Sequence, residues 1–243
     1  MLSLRRRLKP MNAKIRAKVK EILAKILPDS ISLRYLSYLP QIETWKHIHN
    51  ENYPTFKTRY ELYDYLQSSF VKEEAIDYLE FGVFKGTSIK YWSKINGHAQ
   101  SRFYGFDTFT GPPESWIYFT GKMREKHFDV KGELPDISDK RVSFVRGLFQ
   151  ETVHDFLTSY ERQSQLIIHN DSDLYSSTLY VLTKCNEIIT PGTIIIFDEF
   201  LSVLNEFRAL QDYCSSYMRK YEVIGATNIY YDKNYVQIAI RML

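Results

Sequence analysis

Two acidic pairs, Asp171 with Asp173 and Asp198 with Glu199, are the residues whose types and spacing could do chemistry in this 243-residue chain. Each pair follows a short apolar run rich in β-branched residues, Leu166-Ile167-Ile168 and Thr193-Ile194-Ile195-Ile196-Phe197. A run that is apolar on both faces suits a strand of a parallel sheet covered by helices on either side. The acids then stand at the carboxyl ends of two strands, the edge at which open α/β sheets bind ligands. Carboxylates converging there repel one another and raise one another's pKa unless a cation sits among them. A hard divalent ion is the simplest candidate.

The elements that must position these acids form an alternation that begins at Ile76. Residues 76–81 read as a strand, Gly82 to Gly86 as a tight turn, and Thr87 to Ile95 as a helix capped by Thr87 or Ser88. Further strands are expected over Arg102 to Asp107 and Val142 to Val145, with a helix from Gln150 to Glu161. Beyond Phe200 come a helix over Asn205 to Arg219, a strand Tyr221 to Ile224 stopped by Gly225, and a last strand Tyr235 to Ile240. This pattern predicts an α/β fold, a doubly wound, mostly parallel, seven-stranded sheet closed by an antiparallel hairpin.

The first turn reads E-F-G-V-F-K-G, not G-x-G-x-x-G, so it meets the needs of a pyrophosphate poorly. S-adenosylmethionine has no phosphates, and could use Gly82 for close approach and Glu80 beside the ammonium of its amino-acid tail. Asp107, at the tip of the second strand, can accept hydrogen bonds from both ribose hydroxyls. Its plainer alternative is to cap the turn into Thr108 to Pro113. Gly86, Ser88 and Thr108, which border the same turns, complete the candidate cofactor contacts. Residues 108–139, with Gly111-Pro112-Pro113, Trp116, Tyr118, Phe119 and His127, form a loop long enough to serve as a lid. His169 is a candidate base or cofactor contact, with a packed, hydrogen-bonded histidine as the alternative.

Composition narrows the classes. At 44% apolar and 15% aromatic residues, the chain can build one large domain with an extension. Nine of its 32 Lys and Arg lie in residues 1–25 with one of its 29 acids, so the remainder is mildly acidic and no nucleic acid is expected as a partner. Cys185 and Cys214 have no CxxC or CxxH neighbour, which fits a reducing compartment. Residues 1–28 form a basic amphipathic helix, with Ile15, Val19, Ile22 and Ile26 at helical spacing and Pro28 ending it. That helix could pack on its own domain or a second subunit, lie on an anionic membrane through residues 11–27, or meet acidic partners. Residues 29–74 read as an aromatic cap, irregular at first and helical from Arg59 to Val71, before the domain at 75–243. Within it, His47 and His49 read as packing or surface residues rather than ligands.

Five ordered segments carry a resemblance: YLEFGVFKGTS (78–88), GFDTFTGPP (105–113), VRGLF (145–149), HNDSDLYSST (169–178) and PGTIIIFDEF (191–200). Together they resemble the macrocin O-methyltransferase family of class I, S-adenosylmethionine-dependent enzymes, which have a Rossmann-like fold. The resemblance implies methylation of a sugar or glycan hydroxyl with a divalent cation, usually Mg²⁺, held by Asp171, Asp198 and Glu199. It implies Asp173 as general base, with Glu80 and Asp107 as the cofactor-tail and ribose acids. The pair Asp198-Glu199 departs from the Asp-Asp of the antibiotic-modifying members, and glutamate is an equally good oxygen donor, one methylene longer. The alternative is a non-catalytic α/β binding module with the same sheet. A cytoplasmic homo-oligomer with a small-molecule or glycan acceptor is expected, with the inner face of a membrane as a candidate contact.

Deleting residues 1–25 is expected to change oligomeric state or membrane partition, measured by sedimentation and vesicle flotation, and to leave cofactor affinity intact. Loss of cofactor binding would show that the helix belongs to the catalytic domain.

Overall fold

The computed structural model describes residues 12–49, 53–115, 117–118, 121–122, 128–200, 202–228 and 236–243. The chain divides into two compact units, between Ser37 and Tyr38. In the first unit, helix α1 (Ala13–Ile26) starts at Asn12, whose side-chain oxygen accepts the Lys14 N–H at 2.9 Å. Its residues Ile15, Val19, Ile22 and Ile26 are exposed, and none of the helix is buried. Helix α2 (Ile31–Ile48), whose residues from Tyr38 on belong to the second unit, replaces the irregular stretch expected at the start of the cap. Pro40 lies inside it and removes one backbone donor, and Ile42 and Trp45 on its C-terminal side are buried. Among the described residues no helix is long and apolar enough to cross a membrane.

The larger unit runs β1 (Thr55–Phe56), α3 (Arg59–Leu66) with a π-helical turn at Gln67–Val71, β2 (Ile76–Phe81), α4 (Thr87–Ile95) and β3 (Arg102–Asp107). A short hairpin of β4 (Ile117–Tyr118) and β5 (Gly121–Lys122) follows, then β6 (Val142–Arg146), α5 (Phe149–Ser159), β7 (Gln165–Asn170) and α6 (Tyr175–Lys184). Next come β8 (Ile194–Phe197), a π-helical turn at Val203–Phe207, α7 (Arg208–Ser216), β9 (Tyr221–Thr227) and β10 (Ile238–Met242).

The sheet order is β1-β9-β10-β8-β7-β2-β3-β6. Strand β10 is antiparallel to both neighbours and the other pairs are parallel. This is the expected doubly wound architecture with one strand more than the seven read from the sequence. The eighth is β1, whose Thr55 and Phe56 pair with Ala226 and Thr227. Two residues are too short to show the alternation by which strands are read.

Two local expectations are corrected. Strand β9 continues through Gly225 to Thr227, because that glycine is a point of close approach and not a stop. A Cβ there would lie 2.8 Å from Leu62 Cδ1, so the bare backbone lets α3 press against the sheet. Helix α4 is entered through Gly86, in the left-handed region at φ 74°, and no side chain caps it. The expected start of β10 at Tyr235 lies outside the described residues.

Side-chain alternation sorts the core onto the two faces of the sheet. On one, Ile76 and Tyr78 of β2, Ile167 of β7, and Ile194 and Ile196 of β8 meet Leu62, Tyr63 and Leu66 of α3 and Ile89 and Trp92 of α4. On the other, Phe81 packs on Phe149 at 5.5 Å between ring centroids, and Tyr104 and Phe106 each meet Phe156 at 4.9 Å. Every residue of β2 and β8 is buried, which is why β8 reads as a continuous apolar run, while β2 buries Asp77 and Glu80 among its apolar residues.

Away from the acid-bearing edge, buried Asp77 is held by Arg102 through bonds of 2.9 and 2.6 Å, by the Tyr160 hydroxyl at 2.8 Å, and by the Gln163 N–H at 2.9 Å. Burial by itself would raise the Asp77 pKa, but these donors outweigh it and the net shift is downward. Because the folded pKa lies below the ordinary 3.8, the stabilisation is complete above that value and is lost as pH falls through the lowered one. Asp77→Asn is expected to cost about 3 kcal/mol in urea unfolding at pH 7. The gap to the wild type should narrow only below pH 3.8, and a gap independent of pH would show that the charge contributes nothing.

Candidate active site

The carboxyl ends of the central strands are tied to one another by backbone bonds that extend each ladder past the strand. The Gly82 N–H donates to Phe106 O at 2.9 Å, Asp171 N–H to Phe81 O at 2.8 Å, and Asp198 N–H to Asn170 O at 3.1 Å. The acids that follow β7 and β8 are therefore fixed at one rim. Gly82 makes this possible: at φ 95°, a Cβ on it would lie 1.8 Å from the Asp171 carbonyl oxygen. The close approach expected of Gly82 is thus made, in this structure, to the neighbouring strand end.

A cavity of about 340 Å³ opens on this rim. Asp107, Asp171, Asp173, Asp198 and Glu199 line it, together with Gly82, Phe84, Thr108, Phe128, Leu148 and Phe149. Gly111, Pro112 and Pro113 of the lid segment also reach it, while Trp116, Phe119 and His127 lie outside the described residues. One ligand atom from each of His169, Asp171 and Asp198 lies within 4.8 Å of the others. Glu199 shares the cavity but is not part of that group. The Asp171 pKa is well above the ordinary range, raised by burial and then by Asp198 and Asp173. Asp173 is raised likewise, by burial and then by Glu199, Asp198 and Asp107. Burial and Asp198 push Glu199 up to about 7.

Asp173 sits in the left-handed region at φ 59°, and α6 begins after Leu174 with no side-chain cap. The strained backbone turns Asp173 to the cavity and leaves it no capping role. Asp107 combines the two uses open to it. Its Oδ2 accepts the Val83 and Phe84 N–H groups, each at 2.8 Å, and its Oδ1 accepts Phe109 N–H at 2.7 Å, yet the residue still faces the cavity.

Other expected contacts lie behind the wall. Glu80, Gly86, Ser88 and His169 do not line the cavity. A Cβ on Gly86 would meet Pro135 at 2.7 Å, and Ser88 is buried. Glu80 accepts the Tyr78 hydroxyl at 2.6 Å, and the Tyr78 oxygen lies 2.8 Å from His169 Nδ1. With the Tyr78 proton committed to Glu80, His169 donates from Nδ1 to the Tyr78 oxygen, which in the neutral imidazole leaves the lone pair on Nε2. That Nε2 is 3.4 Å from the Tyr63 hydroxyl and 3.9 Å from Asp198 Oδ1. Gln237 Nε2 donates to both Tyr63 and Asp198, closing a buried polar chain from Glu80 to the cavity. His169, the candidate base, is wholly buried.

Several contributors went unread in the sequence. Arg59, at the start of α3, lines the cavity and pairs with Asp198 Oδ2 at 3.3 Å. Glu206 is fully buried, accepting Asn170 Nδ2 and the Glu199 N–H at 2.9 Å each. Gln237 stands as a polar residue within the otherwise apolar run Val236 to Ile240, which is the signal that could have found it, whereas Glu206 sits between Asn205 and Phe207-Arg208. Arg59 carries no comparable mark.

The sequence model of the macrocin-O-methyltransferase (TylF) family matches residues 61–233. Among curated proteins, no sequence matches this one. Solved structures with the same fold include the O-methyltransferase NovP, 20% identical over 75% of this chain and 78% of its own, TM-score 0.56. The calicheamicin methyltransferase CalS11 is 19% identical over 96% of this chain and 94% of its own, TM-score 0.54. An O-methyltransferase from Bacillus cereus in complex with SAH is 13% identical over 93% and 97%, TM-score 0.50.

Replacing Gly82 by Ala is expected to cost at least about 2 kcal/mol, since the backbone conformation and the Asp171 carbonyl both oppose a Cβ. Urea unfolding checks this. A variant as stable as the wild type would show that the turn can move away from Asp171.

Proposed function

The chain belongs to the macrocin-O-methyltransferase family, and from that premise we propose that it methylates a hydroxyl of a sugar, glycan or glycosylated metabolite, using S-adenosylmethionine and a divalent cation, Mg²⁺. The observation that carries the reading is the meeting of Asp171 and Asp198, from two strands, with His169 inside 4.8 Å. Hard oxygens with one imidazole nitrogen suit a divalent ion, and the raised Asp171 pKa is what a site built to receive positive charge would have without it. A sugar acceptor is supported by CalS11, described as a TDP-rhamnose 3′-O-methyltransferase.

In this reading Asp171, Asp198 and Glu199 hold the ion, with His169 Nε2 beside them. The bound ion would lower the pKa of the acceptor hydroxyl by several units, and the bound cofactor would supply the methyl group on a positively charged sulfur. Asp173 accepts the hydroxyl proton. A raised carboxylate pKa suits this task, because a base close to the working pH combines availability with driving force. Asp107, its carboxylate already oriented by Val83 and Phe84, presents its remaining lone pairs to the ribose hydroxyls. Thr108 and Gly82 flank it on the cavity wall, and Phe84 and Phe128, 5.4 Å apart between centroids, give the adenine an apolar surface. Glu80 acts one step removed, orienting His169 through Tyr78.

Two variants separate the roles. Asp198→Ala is expected to abolish turnover, and Asp173→Asn to lower kcat by about 10²–10⁴-fold. Both should keep S-adenosylhomocysteine affinity, measured calorimetrically, within about twofold, since neither acid is assigned to the cofactor. Chelation of the wild type should reproduce the Asp198→Ala loss, with recovery on adding Mg²⁺. Equal loss of turnover and cofactor binding, or activity indifferent to chelation, would refute the assignment of the ion site.

A further inference from the structure

Resting on the reading that a divalent ion occupies this site, we propose that Arg59 is the counter-ion of the ion-free protein, holding Asp198 until a divalent cation takes its place. Five carboxylates face the cavity, and among the described residues Arg59 is the one Lys, Arg or His that lines it. Its guanidinium lies 3.3 Å from Asp198 Oδ2. Burial opposes its charged form, and Asp198, Tyr63, Asp171 and Tyr60 together outweigh that effect. Two of those four are carboxylates of the group that could hold the ion. Arg59 therefore sits where its charge serves the same acids that a cation would serve.

The pair is built to be exchanged. Asp198 has 7% of its side chain exposed, whereas Arg59 has 35%. Asp198, whose other donor Gln237 is neutral, loses most if left without an opposite charge, while the guanidinium can turn to water at small cost. Arg59 thus has reason to leave only when another cation arrives. A structural ion pair in the same molecule looks different. Arg102 grips Asp77 with two bonds of 2.9 and 2.6 Å, and its carboxylate is fully buried. Arg59 makes one long bond, through Nη2. Its own position is fixed by the capping box at the start of α3, where Thr58 and Glu61 bond each other's backbone. The backbone stays while the side chain moves.

Competition of this kind scales apparent ion affinity by the fraction of time the site is open: a pair formed nine-tenths of the time weakens binding about tenfold. The test measures Mn²⁺ binding to the full chain by electron paramagnetic resonance for the wild type, Arg59→Gln and Arg59→Lys, with thermal melts at increasing Mn²⁺. Arg59→Gln is expected to bind Mn²⁺ about tenfold more tightly. It should melt below the wild type without Mn²⁺, and the gap should close as the ion saturates. Arg59→Lys, which keeps the charge without the planar fork, should bind about threefold more tightly than wild type, and it carries the comparison should Arg59→Gln fail to fold. Equal Mn²⁺ affinities in wild type and Arg59→Gln, a melting gap that persists at saturation, or an Arg59→Lys affinity no tighter than wild type would overturn the proposal and leave the ion-assisted reading standing. Absence of Mn²⁺ binding in wild type and variants alike would overturn both.

Discussion

Repulsion among carboxylates gathered at the end of a parallel sheet is the constraint on which the rest of this structure depends. Asp171, Asp173 and Glu199 are all shifted upward because they share a partly desolvated space with Asp198 and one another. In water, charges so placed would spread apart, but here the strand ends are bonded backbone to backbone and hold them in place. The resulting strain in charge is useful, since the cheapest relief is a cation and the next is a proton. Those are the two things that the proposed metal-assisted proton abstraction would have to manage.

A rim of this kind needs rigid support, and the structure supplies it from both faces of the sheet. On the α3 side, the buried chain through Tyr78, His169, Tyr63 and Gln237 ends on Asp198. On the opposite side, Asn170 and Glu206 hold the backbone of Glu199. Buried polar groups are costly when unpaired, so each network favours the one arrangement that satisfies its members. The site's orientation is thus a property of residues that never face the cavity.

Alternation of side chains along the strands explains why this division arises. His169 and Glu80 are register partners in adjacent strands and share a face, so the histidine is drawn into the Tyr78 and Tyr63 packing. Asn170, one residue on, faces the other way and meets Thr178 and Glu206. Asp171 then lies beyond the strand, at the rim. Three consecutive residues serve three different environments, set by the two-residue period of the strand.

Much of this was legible in the chain itself. Apolar runs ending in acids identified β7 and β8 and put Asp171, Asp173, Asp198 and Glu199 at one edge, because strand periodicity and the handedness of βαβ connections leave a parallel sheet few alternatives. Ordered motifs from Tyr78 to Phe200 identified the family. What the chain did not disclose was decided by contacts between residues far apart in it. Arg59 reaches Asp198 across 139 positions and Gln237 across 39, and nothing local to either marks the meeting. The same holds for Glu80 and His169, whose placement behind the wall follows from which neighbours fill the face they share. Local sequence fixes which way a side chain points along its own strand or helix; only the packed sheet decides what it finds there.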